Sequence, residues 1–149
     1  MLMFWIITTI AVLFITYLII KDPSIIYKSI SYSYYEDRET AVIWGSFAGV
    51  VGMLIAFSFP SPITLIAGIC LTLVPIFGNF EKKPITYIHY GLALAFYVLM
   101  LYYTGSFLSA IPYAIVSLVL LYKKHHIVST FMIEVIGILV ILIQLFLML

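Results

Sequence analysis

Two ionisable side chains sit where the surrounding sequence is otherwise oil: His89 in "ITYIHYGLA" and Glu134 in "TFMIEVIGILV". A carboxylate deep in an apolar run costs several kcal/mol if it is charged and unpaired, so it has to face a protein interior, take a proton or hold a partner. Its spacing favours an inward face. His126, Thr130, Glu134, Gly137, Ile141 and Gln144 recur at intervals of three or four, a polar stripe down one side of a helix. Two kinds of chemistry fit Glu134: a proton-sensitive or ligand-binding carboxylate, or a hydrogen-bond clamp between helices. His89 has two readings as well. Beside Glu134 on a neighbouring helix it would form a proton switch near neutral pH; otherwise it bonds near the headgroup zone with Tyr87 and Tyr90, as interfacial aromatics do.

The elements that must carry these groups follow from composition. Of 149 residues, 65% are hydrophobic and 9% are charged, with a mean hydropathy of +1.24. A soluble domain normally charges about a quarter of its residues to build a polar shell, so lipid is the expected solvent here. The expectation is a single all-α transmembrane domain over 1–149, because in hydrocarbon each backbone polar group has to be paired within its own segment. Six helices of about membrane length fit the apolar runs: 3–20, 41–58, 63–78, 85–103, 106–122 and 127–148. The first lacks a basic leader and a small-residue cleavage pattern and reads as a retained helix rather than a signal peptide. The Pro-bounded "FPSP" and the short "TGS" break the chain on one side, while "GNFEKKP" and "KKHH" break it on the other. Pro75 and Pro112 are expected to kink their helices and free backbone carbonyls for other donors.

Charge then orients the bundle. The seven basic residues, Lys21, Lys28, Arg38, Lys82, Lys83, Lys123 and Lys124, all fall in loops 21–40, 79–84 and 123–126 or at their borders. With six crossings those loops share one face, which the positive-inside rule makes cytoplasmic, and both termini face outward. His89 and Glu134 then lie roughly 7 Å and 12 Å below that face. Integral residence in a bacterial inner membrane is the expected localisation, with membrane lipids and a homo-oligomer or membrane-complex subunit as candidate partners. A net charge of +1 without a basic cluster gives no reason to expect nucleic acid.

Other features carry less chemistry. Gly45, Gly49 and Gly52, interleaved with Ala48 and Ala56, form small-residue spacings suited to close helix packing. Cys70, the single cysteine, reads as a small buried hydrophobe. Ser46 in "WGSFAG" does not complete a nucleophile elbow. A metal site from His89, His125 and His126 lacks the usual histidine spacing, so neither metal nor cofactor is expected.

Short motifs give a resemblance. Ser29–Ile30–Ser31 with Tyr34–Tyr35, Arg38 and Gly45, then "AGICLTLVPIFGN" (67–79) and "HYGLALAF" (89–96), resemble a family of small multi-pass bacterial membrane proteins. That family is distantly similar to the alkaline-ceramidase-like superfamily, whose hydrolases use a metal held by several histidines with an acid and a serine. The resemblance implies a multi-helix membrane fold, with a metal-dependent lipid hydrolase as the alternative activity. Of the superfamily's ligands only His89 has a counterpart; the paired late histidines and a seventh helix do not. The favoured expectation is a non-enzymatic membrane protein that binds a small or lipid-like ligand, or serves as a pore-forming or accessory subunit, through a cytoplasmic-side polar cluster. Tyr34, Tyr35 and Arg38 are expected to cap that cluster above His89 and Glu134, since four tyrosines between 27 and 35 suit headgroup depth better than a solvated loop.

Overall fold

The computed structural model describes residues 1–24, 30, 38–77, 83–105 and 126–148, with backbone alone for 83–86 and 126–132. Every described element is helical: α1 (Leu2–Lys21), α2 (Arg38–Ser58), α3 (Pro62–Leu73), α4 (Lys83–Tyr103) and α5 (His126–Leu147), with a short 3-10 turn at Pro75–Phe77. The all-α expectation holds for these residues. The helix expected over 106–122, the loop tyrosines Tyr34 and Tyr35, and His125 lie outside them.

Helix α1 shows how the elements pack although its sequence is apolar on all sides. Phe4, Ile7, Ala11, Phe14 and Leu18 are buried at spacings of three and four, while Leu2, Trp5, Leu13 and Ile20 of the same helix are exposed. Packing, not a polar face, selects the inner stripe. Helix α3 lies between α2 and α4, α1 lies against α2, and α5 touches α1 and α4. One part of the core gathers Ile7, Ile55, Met100 and Leu145. The other is built on Phe14, Trp44 and Val74, with the Phe14 and Phe47 rings stacked at 4.1 Å.

The chain breaks follow local chemistry. Between α2 and α3, Ser61 caps the helix: its Oγ accepts from the Thr64 N–H at 3.1 Å, and its own N–H donates to Thr64 Oγ1 at 3.1 Å. Pro62 opens the first turn, where a missing N–H costs nothing. Helix α4 stops at Tyr103, with Gly105 at φ +65° behind it, the left-handed position that glycine supplies most readily at a helix end. Pro75, expected to kink a helix running to 78, ends the α-helical part of it at Leu73 instead. Its ring and absent N–H break the ladder, and a 3-10 turn completes the segment. Helix α2 begins at Arg38, three residues before the expected start at 41, with Glu39 in its positively polarised first turn. Glu39 accepts from Lys21 Nζ at 3.3 Å and Tyr17 Oη at 3.2 Å, tying the end of α1 to the start of α2.

The glycines on α2 divide by environment. A Cβ built at Gly52 would stand 2.6 Å from the Gly68 carbonyl oxygen and 2.6 Å from Thr72 Oγ1, whereas one at Gly45 or Gly49 meets nothing within 4 Å. Gly52 and Gly68 therefore set the close crossing of α2 on α3. Replacing Gly52 by valine should cost about 1–3 kcal/mol of stability, because backbone has to shift. Gly49→Ala should change stability little. Denaturant titration of the purified protein by circular dichroism checks both.

Candidate functional site

Between the helices lies a partly open cavity of about 110 Å³, and its described walls are almost wholly apolar. Its lining runs from Glu134 to Leu145 along α5, roughly 16 Å at the rise of an α-helix, so the space is elongated along the bundle. The polar groups of the lining are few: Glu134 on α5, Tyr97 on α4 and the indole of Trp44 on α2. No cation, serine, cysteine or histidine stands among the described lining residues.

Glu134 is held by the chain from two sides. Its Oε2 accepts from the backbone N–H of Ile30 at 2.5 Å, and Ile30 is itself buried and lines the cavity. Hydrogen bonds to a carboxylate are stronger than neutral ones, and a backbone N–H is a ready partner for an interior acid. Tyr97 Oη donates to the backbone carbonyl of Glu134 at 3.4 Å. Gly137 makes room for this ring: a Cβ there would lie 2.6 Å from Tyr97 Cζ and 2.7 Å from Cε1. The glycine in the expected polar stripe is thus the seat of an aromatic ring. Farther along the stripe Ile141 and Gln144 are buried, and Gln144 Oε1 accepts from Thr104 Oγ1 at 3.0 Å.

His89 is 2% exposed. Its Nδ1 lies 2.9 Å from the Val74 carbonyl. A carbonyl only accepts, so in this contact Nδ1 carries the proton. The residue immediately after Val74 is the proline that ends the α-helical ladder, and His89 supplies a donor at that break. Val74 lines the cavity and His89 does not, so the imidazole braces a wall.

The sequence-expected residues are therefore brought together in part. Glu134 lies in the cavity wall and His89 supports that wall from behind, each with a backbone partner. Arg38 is exposed at the start of α2 and is not among the lining residues. Tyr34 and Tyr35 lie outside the described residues. Among the described residues no three His, Cys, Asp or Glu side chains converge as a metal site would need. Sequence reasoning passed over Trp44 and Tyr97. Trp44 is 6% exposed, and its Nε1–H has no hydrogen-bond partner among the described residues. The signal was the buried face Thr40, Trp44, Ala48, Val51 and Ile55, spaced three and four apart, which carries an indole in the middle of a helix.

An arrangement of this kind offers space for a bound molecule. An elongated apolar space with polar groups clustered toward one end suits a molecule with a tail and a small head, and the described lining has no nucleophile paired with a base. Glu134→Ala should lose about 1–3 kcal/mol, the cost of leaving the Ile30 N–H buried without an acceptor. Glu134→Gln keeps an acceptor oxygen and should lose less than half as much. Thermal unfolding of the three proteins in one detergent makes the comparison.

The comparisons with known proteins give no relative: no family model, no curated protein and no solved structure matches the chain.

Proposed function

We propose that this chain is a non-enzymatic, multi-pass integral membrane protein that holds a small lipid-like ligand within its helical bundle. The observation that carries the reading is the elongated apolar cavity with Glu134 in its wall. A water-filled pathway would require a polar lining, and a hydrolytic site would require a nucleophile and its base.

The exterior supports the membrane part of the reading. Large apolar side chains stand exposed on every described helix, among them Leu13, Met53, Phe57, Ile69, Leu94 and Ile143, with Phe57 at 79%. A soluble monomer rarely shows so continuous an apolar surface. Two helices, Leu2–Lys21 and Arg38–Ser58, are long and apolar enough to cross a bilayer. Helix α4 has 21 residues and α5 has 22, each spanning more than 30 Å at about 1.5 Å per residue.

The directions of the helices support six crossings. Phe4 meets Phe146 and Phe59 meets Tyr103 at one end of the bundle. Lys21 meets Glu39 and His89 meets Val74 at the other. Tyr97 pairs with Glu134, and Thr104, farther along α4, with Gln144, farther along α5. These two helices therefore run parallel. The apolar run 106–122 is proposed as the further crossing that a parallel pair calls for. The described basic residues Lys21, Arg38 and Lys83 close α1 or open α2 and α4 at the His89 end. In the proposed orientation that end is cytoplasmic, both termini face outward, and the membrane is the bacterial inner membrane.

Two measurements test this. In a Cys70→Ser background, Lys82→Cys and Lys123→Cys should both label from the cytoplasmic side only; labelling from opposite sides overturns the topology. In lipid nanodiscs, a dansylated alkyl amphiphile should bind saturably at one site per chain. Ala93→Phe, which pushes a ring into the cavity, should weaken that binding at least about tenfold. Binding that neither saturates nor responds to Ala93→Phe overturns the ligand reading.

A further inference from the structure

The cavity has a length, a width and a closed end, and each limits what can lie in it. Two helices give the length independently. The lining runs from Trp44 to Ile55 on α2 and from Glu134 to Leu145 on α5, in each case about 16 Å at helical rise. These helices run the same way, because Phe146 of α5 meets Phe4 at one end of α1 while Glu39 of α2 meets Lys21 at the other. Trp44 and Glu134 therefore mark one end of the cavity, and Ile55 and Leu145 mark the other. Width follows from volume. The centre of a water molecule can reach about 110 Å³. Spread over that length, with a water radius of about 1.4 Å added around it, this gives a bore of about 6 Å. A single alkyl chain, about 4–5 Å across at carbon contact distances, fits such a bore, and two side by side do not.

The closed end follows from burial. The part-exposed residues of the described lining, Phe47, Leu71, Ala93, Tyr97, Glu134 and Ile138, lie toward Trp44 and Glu134. In the other half Ile7, Val51, Ile55, Ile141, Leu142 and Leu145 are all buried. One helical turn farther out the core continues with Phe4, Phe59 and Met100, which are buried as well. From these we infer that the cavity is a single-file slot for one unbranched alkyl chain, entered methyl end first from the Glu134 half and stopped at Leu145. Zigzag C–C bonds of about 1.5 Å advance ~1.3 Å each, so the slot takes about a dozen carbons. This inference rests on the ligand-holding reading above and adds the number of tails, their direction and their length. Leu145, on α5, forms the floor. Ala11 lines the slot one turn inward of Ile7 on α1, and its small side chain leaves the bore clear.

The test uses the full chain in lipid nanodiscs and a series of N-alkyl dansylamides with eight, ten, twelve, fourteen and sixteen carbons. These probes share one head and differ in length alone. Native mass spectrometry counts each probe on the released protein, and its share is divided by its share of the disc lipid, so that partition into the bilayer cancels. Occupancy read in this way should rise to about twelve carbons, as added methylenes fill empty space. It should fall at least about threefold by sixteen, where the surplus has to fold back or stay outside. The dansylamide of didodecylamine, with two chains on one head, should bind at least about tenfold less than the dodecyl probe. Leu145→Ala lowers the floor and should move the preferred length up by about two carbons. Ala11→Leu fills the slot from α1 and should move it down by about two. Opposite shifts from two buried positions cannot come from a general loss of stability. If either variant fails to fold, the other carries the mutational arm, and the chain series on the unaltered protein decides without both.

The outcomes separate the two claims. If no probe of any length binds saturably, the ligand-holding reading fails and this inference fails with it. If the probes bind but length makes no difference, the bundle holds apolar molecules and the floor at Leu145 is overturned. If the two-tailed probe binds as well as the dodecyl one, the single-file width is overturned.

Discussion

A carboxylate placed among hydrocarbon has to be solvated by the protein, and the arrangement around Glu134 is the means of doing so. The donor at Oε2 is a backbone N–H from Ile30, 104 positions earlier in the chain. Tyr97 fixes the backbone of α5 at the same level, and it can lie there because residue 137 has no side chain. Remove the acid and each of these features loses its purpose. An apolar bundle would have no need to bring the Ile30 N–H to α5, or to give a ring a glycine seat. Glu134 and Tyr97 of this cluster both line the cavity.

The same logic governs the second polar residue in the interior. Pro75 cannot continue a helical ladder, and the Val74 carbonyl at that break accepts from His89. The cost of a chain break in an apolar interior falls when another helix supplies the missing donor. At the opposite end Thr104 and Gln144 perform a comparable service between α4 and α5. In the proposed membrane setting, helices associate without a hydrophobic force between them and rely on such bonds and on close backbone contact. The Gly52–Gly68 crossing provides the contact.

How much of this was legible in the sequence depends on the kind of partner involved. The inward stripe of α5 could be read from spacing alone, because Glu134, Gly137, Ile141 and Gln144 recur at three and four, and the last three are buried. A disturbance at Pro75 could be read too, because proline acts through covalent geometry, but as a kink and not as the end of the α-helix. The partners of Glu134 and His89 could not. The described ones, the Ile30 N–H and the Val74 carbonyl, are backbone groups, and a peptide N–H or C=O has no residue type to betray it. Side-chain chemistry suggested an acid–imidazole pair; the structure gives each group a main-chain partner. Trp44 was hidden for a related reason: in an apolar helix its ring resembles any other hydrophobe until its one donor is found without a partner. Gly45, Gly49 and Gly52 share a spacing, but only the last meets a neighbouring backbone within 4 Å, a distinction set by helix crossing and not by sequence.

The parallel course of α4 and α5 has a consequence for the order of assembly. Parallel neighbours cannot close as a simple hairpin during synthesis, so α5 reaches its place beside α4 only after the intervening chain has been made. It is also the helix that brings Glu134. Helices α1 to α4 can gather on the ribosome's schedule, but Glu134 is made last, after the Ile30 amide and the Tyr97 hydroxyl that it meets.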